Sequence, residues 1–406
     1  MKLQLLNFKK TQIQSNLYGI SEYADSEGRP LWHNFVQPHF NEIGAEIVYQ
    51  SFEELDKDKP WIINVQVQGW TWYSFEGDII SEFSEGIQNE LINGSAYLLL
   101  NHEWECHTYS FLVSLYKHLK NTKLPPNKII YLCNAVEVDR EFARFNKNHA
   151  ITKENQITVI HSMHLADAIR PSNVNIYFEC DQTTVKSKMY LCLNRVGRQH
   201  RLMLVGMLSF YDLLDYGYVS LGVDKEFNVT DLLSDPRMTL GYEKIKESLP
   251  LIVDTSDFER NHVGFDSLPK QFYQDSYFSL VTGTEALAIH DPSVSITEKE
   301  MKPMLAKHPF ILLNKPGILR YMRNLGFLTF DKWFDESYDT EIDDIERVNK
   351  IALEVKRLSL LSHSEWDSML KEMHPVLLHN YNRVVNYASE RNFFSCDLKK
   401  LIYYVS

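Results

Sequence analysis

Met189-Tyr190-Leu191-Cys192-Leu193-Asn194-Arg195-Val196-Gly197-Arg198-Gln199-His200-Arg201 is the stretch whose reading decides the fold. It opens on an apolar run of the length that suits a strand buried on both faces, the habit of parallel sheets. The run ends at Asn194. Three arginines and a histidine follow within seven residues, and an apolar helix-like run then extends from Leu202 to Leu214. A buried strand leading through a turn into a helix is the repeating unit of layered α/β domains.

Outward from this stretch the same alternation recurs. An earlier series of strand-like runs comprises Glu46–Gln50, Trp61–Gln68, Tyr97–Asn101, Lys128–Asn134 and Ile157–His161. A later series comprises Met189–Asn194, Tyr218–Leu221, Leu251–Asp254, Tyr277–Thr282 and Pro309–Asn314. The segments between them are mostly long enough for crossover helices. Two series imply two Rossmann-like, doubly wound α/β domains, residues 1–184 and 185–341, joined near Thr183–Lys188. Residues 342–406 are expected to form a helical tail packing across the domains. Ile342, Ile345, Val348, Ala352, Val355 and Leu358 share one helical face. Ser362 and Glu365 have capping-box spacing for a second helix, and a further helix is expected over Val376–Glu390. Facing α/β domains place a ligand cleft at the C-terminal ends of the strands.

Composition narrows the function classes. The chain has 406 residues, 44% of them hydrophobic and 24% charged, which excludes a disordered or fibrous protein. A net charge of -12 argues against non-specific coating of nucleic acid, although a local basic cleft is compatible with it. The five cysteines, Cys106, Cys133, Cys180, Cys192 and Cys396, include no CxxC pair and read as reduced, buried thiols. No apolar run approaches the ~20 residues of a membrane span. The N-terminus, Met1 to Leu6, turns polar at once and lacks a signal-peptide core. A soluble, cytoplasmic protein is expected.

The basic turn after Asn194 suits phosphate. Arg195, Arg198, His200 and Arg201 would stand at a helix N-terminus, where backbone N–H groups add positive potential, and arginine binds phosphate oxygens in pairs. The competing reading is a solvated turn, but three arginines exceed what a turn requires. A second segment is Ser279-Leu280-Val281-Thr282-Gly283-Thr284-Glu285, followed by Ser295-Ile296-Thr297-Glu298-Lys299-Glu300. Thr282, Gly283 and Thr284 lie at a strand end, where small residues let a ligand approach the backbone. Thr297 and Glu300 have capping-box spacing, so a helix is expected from Glu298. Lys299 then opposes the helix dipole unless an anion compensates, and Glu298 is placed to accept from sugar hydroxyls. Pro303 supports a rival start near Lys302, with the proline at the first helical position.

These two segments resemble the donor-binding half of GT-B glycosyltransferases, and most nearly the α1,3-fucosyltransferases. The matching positions are Glu285, then Thr297-Glu298-Lys299, then Pro309-Phe310-Ile311-Leu312-Leu313. The resemblance covers roughly the C-terminal half of the chain. It implies that Glu298 and Lys299 contact a nucleotide sugar, that Arg195, Arg198 or Arg201 binds its pyrophosphate, and that the reaction inverts the anomeric carbon. Gly326-Phe327-Leu328-Thr329-Phe330 and Asp335-Glu336-Ser337-Tyr338-Asp339 resemble a pattern shared by phage and marine bacterial proteins of this type. The chain departs from the fucosyltransferases at Thr284-Glu285-Ala286, where they carry Glu-Asn-Ser.

A transferase of this kind needs a general base for the acceptor hydroxyl. Glu103 and Glu105, with His102, follow the strand Tyr97–Asn101 and are the first candidates; Glu76 and Asp78 are the second. Trp70 and Trp72, with Tyr73 and Phe75, could line an acceptor site or pack a core. Asp56-Lys57-Asp58 has metal-motif spacing but lies in a charged loop and reads as surface. Asp335, Glu336 and Asp339 read as a solvated helix start rather than metal ligands. Basic side chains and helix ends can stabilise a leaving diphosphate, so neither metal nor cofactor is expected. No P-loop, no GxGxxG and no GxSxG elbow occurs. The expected partners are a nucleotide-sugar donor, GDP- or UDP-linked, and an unidentified hydroxyl acceptor, a glycan in preference to DNA, against which the net charge of -12 counts. Two alternatives are a phage-type DNA-base glycosyltransferase and a non-catalytic nucleotide- or glycan-binding module.

Overall fold

The computed structural model describes residues 2–6, 46–67, 78–102, 108–161, 185–222, 235–253, 270–288 and 293–390. They fall into two compact units. The first takes the described residues up to 161 together with 293–296, and the second takes 185–288 and 297–390.

The first unit is a parallel sheet of β1 (Lys2–Leu6), β2 (Glu46–Gln50), β3 (Trp61–Gln66), β4 (Ala96–His102), β5 (Ile129–Cys133) and β6 (Thr158–His161). Its order is β2-β1-β3-β4-β5-β6, and every pairing is parallel. Helices α1 (Glu85–Asn93), α2 (Thr108–Leu119) and α3 (Val138–Asn148) belong to the crossovers. Every residue of β5 is buried, as expected for a strand covered on both faces. β1 is a strand that the sequence reading did not anticipate, because Gln4 interrupts its apolar pattern. Gln4 is buried, but its amide is satisfied by the loop at Asp56: Nε2 donates to Asp56 O at 3.1 Å, and Asp56 N donates to Gln4 Oε1 at 2.8 Å. Residues 293–296 join this unit through an antiparallel bridge between Ala135 and Ser295 and a Val136 N to Val294 O bond of 2.8 Å.

The second unit is a parallel sheet of β7 (Lys188–Asn194), β8 (Gly217–Leu221), β9 (Ser276–Thr282) and β10 (Phe310–Leu313), ordered β10-β9-β7-β8. The chain moves from β7 to β8 on one side, then crosses to β9 and β10 on the other. The crevice at the C-terminal ends of β7 and β9 is therefore a topological switch point, where open α/β sheets bind ligands. The expected strand at Leu251–Asp254 does not form among the described residues. Leu251 makes a single antiparallel bridge to Leu221, and Ile252 and Val253 are exposed, so no apolar face is there to be buried.

The helices of this unit are α4 (Gln199–Phe210), α5 (Pro236–Ile245), α6 (Lys270–Gln274), α7 (Glu298–Leu305), α8 (Ile318–Asn324), α9 (Asp344–Ser359) and α10 (His363–Glu390). α4 is buried at every residue from His200 to Ser209. α5 crosses it at two glycines: a Cβ on Gly241 would stand 1.9 Å from Gly206 O. Tyr211, just beyond α4, donates to Asn349 Oδ1 of α9 at 2.9 Å. α9 buries Val348, Ala352, Val355 and Leu358, as their spacing predicts. Ile342, expected on that face, is 77% exposed because Asp343 caps the helix after it, accepting from the N–H groups of Ile345 and Glu346. Ser362 and Glu365 exchange the expected capping bonds. The helix they start runs unbroken through Pro375 to Glu390, one helix where the sequence suggested two. Its Trp366 stacks on Tyr277 and Phe278 with ring centroids 5.0 and 5.6 Å away. The expected α/β class with a helical C-terminal segment is what the structure has. Among the described residues no helix is long and apolar enough to cross a membrane.

Candidate functional site at the β7 and β9 strand ends

β7 and β9 are tied where they end. Thr282 Oγ1 donates to Asn194 Oδ1 at 2.5 Å, and Asn194 N donates to Ser220 Oγ at 3.0 Å. After Asn194 the backbone turns at Arg195–Arg198 and enters α4, which begins at Gln199 rather than at the expected Leu202. Arg198 is the N-cap but makes no side-chain capping bond. Its guanidinium is free to reach across, and Nη1 donates to Thr284 O at 2.6 Å.

His200 and Arg201, in the first turn of α4, both converge on the carbonyl of Gly283. His200 Nε2 lies 3.1 Å from that oxygen and Arg201 Nη2 3.3 Å. Arg201 Nη1 donates to Val196 O at 2.7 Å. Burial pushes the His200 imidazole well below its usual range, and Arg201, Arg198 and Lys315 push it further in the same direction. The ring is neutral, with Nε2–H donating to Gly283 O and Nδ1 left 3.9 Å from Glu285 Oε1. Burial also pulls the Arg201 guanidinium down to about 10, against the pull of Glu298 and Glu285. It stays charged at neutral pH, and its Nε is buried without a hydrogen-bond partner. A buried charged group left short of partners is costly unless a ligand completes it.

The second sequence segment forms the adjoining wall. The helix starts at Glu298, as the capping box predicts, and not at the alternative start near Lys302; Pro303 lies inside α7. Thr297 Oγ1 accepts from Lys299 N, while Glu300 Oε2 accepts from Thr297 N and from Thr297 Oγ1, each at 2.8 Å. Glu300 Oε1 takes the Asn314 Nδ2 amide at 2.8 Å, so this buried carboxylate is wholly engaged in the frame. Lys299 Nζ pairs with Glu298 Oε1 at 2.5 Å, which offsets its unfavourable place at the helix N-terminus. Gly283 is needed for closeness: a Cβ there would come within 2.7 Å of Asn314 Nδ2. The small residue that the sequence reading reserved for a ligand instead admits the Glu300–Asn314 pair.

The structure thus gathers Arg198, His200 and Arg201 with Thr284 and Glu285, and links Thr297, Glu298 and Lys299 to the same strand ends through Asn314. Arg195 is half-buried at the start of the turn. Asn194, Asn314 and Lys315 were not singled out from sequence as site residues, whereas Thr282 was. Each lies at the C-terminal end of a buried apolar strand, and that position was the available signal.

The acceptor-side candidates Glu103, Glu105, Trp70 and Trp72 lie outside the described residues, as does Glu76. His102 packs in the core, its Nδ1 2.7 Å from Tyr131 Oη and its ring stacked on Phe111. Asp78 caps a short turn by accepting from Ile80 N at 3.1 Å. Asp56 and Asp58 sit in the surface loop that their surroundings suggested, with Asp56 paired to Lys59. Asp335 is the exposed helix-entry residue that was expected, accepting from Ser337 N at 2.9 Å, but Glu336 and Asp339 are drawn into the fold. Asp339 is buried and accepts from the N–H groups of Leu319 and Arg320. Glu336 accepts from Phe330 N, Thr329 Oγ1 and Arg323, so these carboxylates hold the scaffold around α8. Cys133 and Cys192 are buried free thiols, and burial pushes Cys192 up to about 12.

No protein-family model matches the chain, and no curated protein matches it. Solved structures give distant likenesses. The N-terminal domain of trehalose-6-phosphate phosphatase from Candida albicans aligns at TM-score 0.39 and 9% identity, over 100% of this chain and 97% of that one. An E. coli trehalose-6-phosphate structure bound with UDP-2-fluoro glucose aligns at TM-score 0.41 and 9% identity, over 96% and 98%. A glycosyltransferase from Rickettsia africae aligns at TM-score 0.40 and 12% identity, over 96% and 97%. At these scores the functional reading rests on the chain's own residues.

Proposed function

We propose that the protein is a GT-B glycosyltransferase that moves a sugar from a GDP- or UDP-linked donor to a hydroxyl acceptor, a glycan. One observation carries this reading. Arg198 and Arg201 meet at a topological switch point, at the N-terminus of α4, and bond to backbone carbonyls. That leaves their charge for an anion, in the crevice where such sheets bind nucleotides. In the reaction the bond from the anomeric carbon to the diphosphate oxygen breaks, and the leaving diphosphate keeps the electron pair. The acceptor oxygen bonds to that carbon, and its proton passes to a base. The two arginines and the α4 N-terminus stabilise the charge on the leaving group. Glu298 and Lys299 hold the sugar end of the donor, and Glu103, with Glu105 as second candidate, takes the proton.

The test is nucleoside-diphosphate release from a panel of GDP-, UDP- and dTDP-sugars with candidate glycan acceptors present. Release from one donor, lost in Lys299→Ala, is the expected result. Silence across the panel, with no donor-induced rise in melting temperature, would reject the transferase.

A further inference from the structure

β10 ends at Leu313, and the chain continues through Asn314 to Lys315 and Gly317. The path there is fixed from both sides. Asn314 Oδ1 accepts from Lys315 N at 2.7 Å while Asn314 Nδ2 is held by Glu300. Gly317 takes a left-handed conformation, φ 88°, and its N–H donates to Asp339 O at 2.7 Å. A lysine held this way is normally turned into water. Lys315 is 1% exposed, and among the described residues its Nζ has no hydrogen-bond partner. Lysine is almost never fully buried unless paired, and every buried polar group without a partner calls for an explanation.

The surroundings supply one. Lys315 is close enough to His200 for its charge to add to those of Arg201 and Arg198 in disfavouring the imidazolium. Arg198, Arg201 and Lys315 act together on His200, Glu285 and Glu298 face Arg201, and Lys299 is paired with Glu298. Glu300 is committed to its capping box and to Asn314. Three cations clustered about one neutral imidazole suit an anion.

We infer that Lys315 is a diphosphate anchor: its buried ammonium, without a partner among the described residues and carried just beyond the end of β10, binds the diphosphate oxygens together with Arg198 and Arg201. The inference rests on the reading of this pocket as a donor site, and it adds a residue from a third strand end. It also gives the pocket a preference. A nucleoside without phosphates leaves the ammonium unsatisfied and binds weakly, whereas inorganic pyrophosphate satisfies it without any base or sugar.

The test titrates the full-length protein with inorganic pyrophosphate, UDP, GDP, uridine and guanosine, and compares Lys315→Met with wild type. Lys315→Gln runs in parallel in case the methionine variant does not fold. The expected result is binding of pyrophosphate and of one nucleoside diphosphate by wild type, weakened about 10- to 100-fold in the variants. Their melting temperature without ligand should be equal to wild type or higher, because an unpaired buried charge is gone. A lower ligand-free melting temperature in both variants makes Lys315 structural and overturns the assignment. Diphosphate binding that survives in the variants removes the role of Lys315 and leaves the donor-site reading intact. Pyrophosphate held through Lys315 with no nucleotide bound keeps the anchor and removes the nucleotide-sugar reading. A wild type blind to pyrophosphate and to both diphosphates removes both.

Discussion

Two charge-rich regions of the second unit follow opposite rules. From residue 317 to 357 the charges answer one another: Arg323 pairs with Glu336, Arg347 with Asp344, Lys350 with Glu341, and Arg357 with Glu354. At the ends of β7, β9 and β10, Arg198 and Arg201 bond to backbone carbonyls, and the Lys315 ammonium has no partner among the described residues. Both regions look alike in composition. A charge closed within the fold stabilises it, and a charge left open is reserved for something that arrives. Removing one from each region should therefore have different consequences.

The largest effect belongs to the closed region. Arg347 is 1% exposed and donates to Ala286 O at 2.6 Å, to Glu341 O at 2.9 Å and to Asp344. Arg347→Met removes the cation beside Asp344 and takes a donor from two carbonyls, and should destabilise the fold by about 3–5 kcal/mol. Urea denaturation would show it, and an unchanged midpoint would break the comparison.

Next comes a buried group that is closed but uncharged. His308 sits between Ser279 Oγ and Ser276 O, each 2.8 Å away, and burial holds it down at about 4. The unfolded imidazole takes a proton near its ordinary value, about 6.5. Between those values the unfolded chain binds more protons, so stability falls as pH falls through that window, by roughly 3 kcal/mol in all. His308→Gln should flatten the dependence of the urea midpoint on pH there. A slope as steep as wild type would assign the acid sensitivity to other groups.

The smallest effect on stability belongs to the open region. Arg198→Ala removes one bond to a half-buried carbonyl and should change stability by less than about 1 kcal/mol. Nucleotide affinity should nevertheless fall by roughly tenfold or more. A loss of stability without a loss of affinity, seen by melting and titration together, would move Arg198 into the scaffold.

Much of the frame was legible because its signals are local. The apolar run before Asn194, and the capping boxes at Thr297–Glu300 and Ser362–Glu365, each depend on residues within a few positions of one another, and all appear. What escaped depends on partners distant in sequence. β1 carries a glutamine that only the Asp56 loop makes tolerable in a sheet. Ile342 belongs to the right helical period but stands outside the cap set by Asp343. Glu336 and Asp339 look as solvated as their exposed neighbour Asp335 until the loops that they bind fold over them. Arg198, His200 and Arg201 were visible as a basic turn. Their partners, the carbonyls of Gly283 and Thr284, lie more than eighty residues away in sequence. Lys315 shows the limit most clearly, since an unpaired ammonium becomes unusual only when it is buried.

The glycine crossing of α4 and α5 bears on how the pocket adapts. With Gly241 seated directly on the carbonyl of Gly206, neither helix can be sheared along the other without backbone meeting backbone. α4 is enclosed along its length, so its first turn is a fixed anvil against which a ligand is pressed. Compliance is left to the short lip from Arg195 to Arg198, where Val196 is 47% exposed. A relative with a different ligand preference would be expected to differ in that lip and to keep the two glycines.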